Sequence, residues 1–97
     1  MPQSGWTKKD WELRELLRSA GSIKELFHIY WQNIQYISES RPELAKFTLR
    51  VFWQKFCTTP NFVFLIWANE ATYGLPDDDP VRRTIKHTFL DQIKMNY

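Results

Sequence analysis

The chain has 97 residues, 43% of them apolar and 25% charged, with a net charge of +2. A chain of that length forms one domain, predicted over residues 1–97, and its charge excludes the strongly basic balance of a free-standing DNA-binding protein. The single cysteine, Cys57, excludes an internal disulfide and a cysteine-built zinc cage.

The first predicted element covers residues 8–20. Thr7-Lys8-Lys9-Asp10 places a hydroxyl before the run and an acid three residues later, the pattern of a capping box. At 100° per residue Leu13, Leu16, Leu17 and Ala20 form the inner stripe. Trp11, Arg14 and Arg18 share a different flank, with Trp6, Lys8 and Lys9 just before them. Glu15 lies within pairing reach of Arg14 and Arg18.

Ser22-Ile23-Lys24-Glu25 opens the second element, predicted over 23–38, and Gly21 sits where helix-ending glycines belong. Its broad apolar face is Ile23, Leu26, Phe27, Tyr30, Trp31, Ile34 and Ile37. Ile29 and Tyr36, one heptad apart, form a second small apolar patch. Ser40-Arg41-Pro42-Glu43 repeats the capping signature and starts the third element, predicted over 41–57. That helix is apolar nearly all round, except for a strip of Glu43, Lys46, Arg50 and Gln54. Lys55 interrupts the inner face, and its stem is expected to snorkel outward.

The fourth element carries PNFVFLIWANE, residues 60–70, with seven consecutive apolar residues from Phe62 to Ala68. The run is far shorter than the ~20 residues a membrane-spanning helix needs. A buried strand competes with a helix for residues 62–67. No other segment alternates with period two, and Ala68–Gly74 continues the run as a helix with a glycine stop, so a helix over 60–73 is predicted. Phe62, Phe64 and Trp67 cannot all face one small core. At least one is expected to meet a neighbour. Asp79-Pro80 opens the last helix, predicted over 80–95, with Val81, Ile85, Phe89 and Ile93 facing inward and Arg83, Lys86, His87 and Lys94 outward.

Five short helices joined by short connections make an all-α protein, a single compact bundle. Catalytic signatures are missing from it: no glycine-rich phosphate loop, no GxSxG and no HExxH. Asp77-Asp78-Asp79 lacks the alternating acids, glycine and distal glutamate of a calcium loop, and reads better as a cap and charge complement for the last helix. His28 and His87 have no metal-ligand partner at helical spacing. Cys57 reads as a small hydrophobe at a helix end. The expectation is therefore a non-enzymatic protein with no cofactor, no metal and no small-molecule substrate. The lone cysteine, and an N-terminus without an apolar signal region, predict a reducing, cytoplasmic location.

Two surfaces suggest partners. The first is basic. Arg14, Arg18, Lys46, Arg50, Arg82, Arg83, Lys86 and Lys94, with Trp11 among them, suit the phosphates and unpaired bases of a nucleic acid. Base-specific readout through a helix-turn-helix is disfavoured, because the N-terminal end of the last helix carries three aspartates that repel phosphate. The second surface is apolar. The chain carries five Trp, four Tyr and seven Phe, more than so small a core covers. Phe62, Phe64, Trp67, Ile29 and Tyr36 are the candidate protein interface or self-association surface. Together these predict a small helical subunit of a larger nucleoprotein assembly. In size and style the chain is similar to the small subunits of CRISPR effector complexes, compact helical proteins lining a nucleic-acid path, though no shared motif carries that likeness. The alternative is a stand-alone protein-binding module, an inhibitor or immunity-type protein with no nucleic-acid contact.

Overall fold

The computed structural model of the protein describes residues 5–57 and 62–95. It is all-α: six α-helices and one π-helical turn, with no strand among the described residues. They are α1 (Lys8–Arg18), α2 (Ile23–Gln32), α3 (Ile34–Ser40), α4 (Glu43–Val51), α5 (Phe62–Ala71) and α6 (Pro80–Met95). The π turn, Phe52–Phe56, continues α4 without a break. The predicted helix over 60–73 is present as Phe62–Ala71; its predicted first residues, 60 and 61, lie outside the described residues.

Two differences from the five-helix reading have local causes. The second predicted helix is split at Asn33 (φ −115°, ψ 17°), whose side chain donates back to the Ile29 carbonyl at 2.8 Å. Such a side-chain bond offers the backbone an alternative to helix continuation, and the chain restarts as α3. Ser40 does not cap the next helix, because it is the last residue of α3 and its backbone is already helical. Pro42 stands at the head of α4 without a side-chain cap. Gly21 and Gly74 follow helix ends, yet neither takes the left-handed conformation of a glycine stop. Among the described residues only Gly5 does, with φ 95°.

The other caps form, that at Ser22 with only half of its reciprocal box. Thr7 and Asp10 exchange bonds, Thr7 N–H donating to the carboxylate at 2.7 Å and Asp10 N–H to the hydroxyl at 3.3 Å. Glu25 N–H donates to Ser22 Oγ at 3.0 Å, while the Glu25 carboxylate accepts from Gly21 N–H rather than from Ser22. Asp79 Oδ1 accepts from the N–H groups of Val81 and Arg82 at 2.9 and 3.3 Å, capping α6.

One contiguous core draws on every helix, led by Leu17, Leu26, Phe27, Tyr30, Ile37, Leu44, Phe52, Ala68, Val81 and Ile85. Its edges correct two sequence assignments. Leu16 and Trp31, placed on inner faces, are exposed. Asp10, a capping residue, is fully buried.

Two polar clamps fix α1 against α4. At one end the Asp10 carboxylate accepts from Arg41 Nε at 2.8 Å and from the Tyr36 hydroxyl. At the other, Lys55 donates to the carbonyls of Arg18 and Ala20 at 2.9 and 2.6 Å. Lys55 thus does not simply snorkel to water; its ammonium satisfies the orphan carbonyls where α1 ends. The start of α1 is bound beside the start of α4 and its end beside the end of the π turn. The two helices run side by side in the same direction.

Candidate functional site

Between these helices lies a pocket of about 230 Å³ lined by Trp6, Arg14, Glu43, Lys46, Phe47 and Arg50. It brings together three cations that the sequence proposes, one from α1 and two from the polar strip of α4. The Arg14 guanidinium lies 4.7 Å from the centre of the Phe47 ring and 5.9 Å from that of Trp11. Trp11 in turn lies 4.8 Å from Trp6, and the Arg41 guanidinium 5.6 Å from Trp6. Cations and rings therefore form one connected ladder, Arg41–Trp6–Trp11–Arg14–Phe47, along the pocket's α1 side. Arg14 is half-buried against those rings, which orient its guanidinium by cation–π attraction. Lys46 and Arg50 are exposed, and among the described residues neither has a carboxylate within ion-pair distance.

The other predicted contacts separate into two groups. Arg83, Lys86 and Lys94 stand exposed on α6, again without an acidic partner among the described residues. Arg18 is committed elsewhere: it pairs with Glu15 at 2.8 Å, and this bond draws the Glu15 carboxyl below its ordinary value.

Arg82 is a correction. It is 6% exposed and its guanidinium turns inward, donating to the Asn69 side-chain oxygen at 2.7 Å, more weakly to the Asn69 carbonyl and Thr72, and lying over the Tyr73 ring. It secures the end of α5 and presents no charge to a phosphate. The signal was in the helical wheel, where Arg82 falls about 20° from the inward Phe89.

Trp6, Phe47 and Arg41 complete the site and were not singled out from the sequence as contacts. Trp6 precedes any helix, so periodicity gives it no face. Phe47 reads as one apolar residue of an all-apolar helix. Arg41 sits in a connection whose partner, Asp10, is remote in the chain.

The apolar candidates divide as well. Phe62 and Trp67 are 38% and 52% exposed, with Val63 exposed beside them, so the apolar run of α5 is buried only along Leu65 and Ala68. Phe62 stacks on Phe89 at 5.5 Å, and Phe64 meets Trp67 edge-on at 5.6 Å. Phe64 and Trp67, with Phe56 of the π turn and the first turn of α2, border an apolar groove of about 520 Å³. Ile29 and Tyr36 are half-buried, packed against the core. The Tyr36 hydroxyl is engaged by Asp10 and its ring by Lys9 at 4.3 Å, so Tyr36 does not present a free apolar face.

Burial pushes the Cys57 thiol above its ordinary value, the reverse of an activated nucleophile. Among the described residues no three of His, Cys, Asp and Glu gather as metal ligands, and no helix is long and apolar enough to cross a membrane. Comparison with protein-family models, with curated proteins and with solved structures finds no match for the chain.

Proposed function

We propose that the protein is a non-enzymatic helical subunit of a larger nucleoprotein assembly that contacts a nucleic-acid backbone through the α1–α4 pocket. The role is of the kind filled by the small subunits of CRISPR effector complexes. The observation that carries the reading is the convergence of Arg14, Lys46 and Arg50 at one pocket with ring-bearing walls. Exposed cations without acidic partners contribute most by displacing the counterions of a polyanion. Arg83, Lys86 and Lys94 extend the basic surface onto α6, and Phe62 and Trp67 supply the apolar patch for the protein partner.

Fluorescence anisotropy with labelled oligonucleotides tests the proposal. If the three pocket cations neutralise three phosphates of a single strand, affinity falls roughly 20-fold between about 50 and 200 mM salt. Reversing Lys46 and Arg50 to Glu abolishes binding at low salt. Absence of binding at low salt refutes the nucleic-acid reading.

The exposed Phe62–Trp67 row favours a second reading, a stand-alone protein-binding module. That reading requires partner capture that is insensitive to salt and to the Lys46 and Arg50 reversals, and that is lost on Trp67→Ser.

A further inference from the structure

We infer that the α1–α4 pocket takes an unpaired base, so that the strand bound there is single. This rests on reading the basic surface as a nucleic-acid contact, and it adds which form of nucleic acid the surface selects. The argument starts from the shape of the site. A surface that only neutralises a backbone needs cations, and Lys46 and Arg50 on an exposed helix face provide them. It does not need a concavity with aromatic walls. Here Trp6 and Phe47 line the pocket itself, and the Arg14 guanidinium is held over Phe47 at 4.7 Å. Rings and guanidinium planes are the groups on which splayed bases stack. In a duplex the bases are already stacked and paired, so neither the rings nor the concavity between two helices offers it a contact.

The one acid in the pocket agrees with this placement. Glu43 lines it together with the three cations. A carboxylate accepts hydrogen bonds only, so it repels a phosphate and suits the exocyclic amino group of a base such as cytosine. The base therefore enters beside Glu43 and Phe47, and the flanking phosphates pass Lys46 and Arg50, one turn apart on the exposed strip of α4. An acidic protein segment would match the cations but not the rings, and would meet Glu43 with like charge.

The test compares three ligands on the native chain at one low salt concentration: oligo(dC), an abasic single strand of equal length, and a duplex of equal length. The expected result is that oligo(dC) binds about tenfold or more tightly than either of the other two, with tryptophan quenching on oligo(dC) alone. Trp6→Leu, with its helical content checked by circular dichroism, is expected to close the gap between oligo(dC) and the abasic strand and to keep the salt dependence. Equal affinity for the three ligands overturns the base pocket and leaves backbone contact standing. Binding to none of them overturns both. Poly-glutamate that displaces oligo(dC) at equal charge concentration overturns it in favour of an acidic protein partner. The ligand comparison needs no variant, so a misfolded Trp6→Leu does not weaken it.

Discussion

Tyr30→Phe removes one oxygen atom from the centre of the protein and isolates a single long-range bond. The Tyr30 ring is fully buried, and its hydroxyl donates to Asp79 Oδ2 at 2.8 Å across 49 residues of sequence. Asp79 is itself buried and uses its other oxygen to cap α6. The bond ties α2 to the N-terminus of α6. A hydrogen bond to an ionised group contributes ~1.5–3 kcal/mol. The cap persists in the variant, so the carboxylate keeps two of its donors and the cost is placed at about 2 kcal/mol. For a chain of this size that lowers Tm by about 8–16 °C. Asp79→Ala loses the same bond and the cap as well, about 3 kcal/mol in all. Because the tyrosine bond is counted in both single variants, the double variant should cost about 3 kcal/mol, leaving a coupling of about 2 kcal/mol. Urea denaturation followed by circular dichroism measures all three. A Tyr30→Phe loss below about 0.5 kcal/mol, or strict additivity in the double variant, would show that the bond does not link the two helices energetically.

The same pair predicts an alkaline limit. Burial, and then the bond to Asp79, push the Tyr30 phenol well above its ordinary value. A raised folded value means that its contribution is complete below about pH 10 and is lost as pH rises further, so Tyr30→Phe should flatten thermal stability there. Asp10 sets the acid limit. Burial alone would raise its carboxyl, but bonds from Tyr36, Thr7 N–H and Arg41 outweigh it and hold the group far below the usual carboxylate range. Its contribution is therefore present above about pH 4 and drains away on further acidification, and Asp10→Asn should blunt that slope in acid titrations followed by circular dichroism. Arg82 Nε is buried without a partner, and no carboxylate lies within ion-pair distance of the guanidinium among the described residues. Arg82→Met removes that unpaired Nε but also the bonds to Asn69 that secure the end of α5, so it should destabilise by about 1–2 kcal/mol by urea denaturation and leave oligonucleotide affinity unchanged. Cys57 should alkylate more slowly than free cysteine at neutral pH and speed up in urea; equal rates would contradict its burial.

Local signals in the sequence carried most of the secondary structure. Thr7–Asp10, Ser22–Glu25 and Asp79 are caps because hydroxyl and carboxylate spacing is decided within one turn. Ser40-Arg41-Pro42-Glu43 has the same spacing and forms no cap, since α3 runs through Ser40 and only tertiary packing decides that. The break at Asn33 follows from one side-chain bond inside a segment whose apolar periodicity is continuous. Periodicity located the core by residue type, and it erred where a polar residue occupies a core angle. Asp10 falls about 20° from Leu17, and Arg82 about 20° from Phe89. Both are buried because remote groups satisfy them, Arg41 and Tyr36 in one case and Asn69 in the other. A wheel records the angle but contains nothing of the partner.

The candidate pocket shows how the two kinds of information combine. Helical spacing put Arg14 on one flank of α1 and Lys46 with Arg50 on one strip of α4, each readable alone. Whether the flank and the strip meet depends on how the helices lie, and that is decided by groups outside both patterns. Asp10 with Arg41 binds the helix starts together, and Lys55 binds the end of α1 to the π turn. The parallel alignment that follows brings the middle of α1 beside the middle of α4, where Arg14 meets Phe47. A lysine that looked like an intruder on an apolar face and an aspartate that looked like a cap are thus the residues that assemble the basic site. Their charges are consumed within the fold, leaving Lys46 and Arg50 as cations without a carboxylate partner among the described residues. Substituting Asp10 or Lys55 would therefore disturb the pocket without touching any residue that lines it.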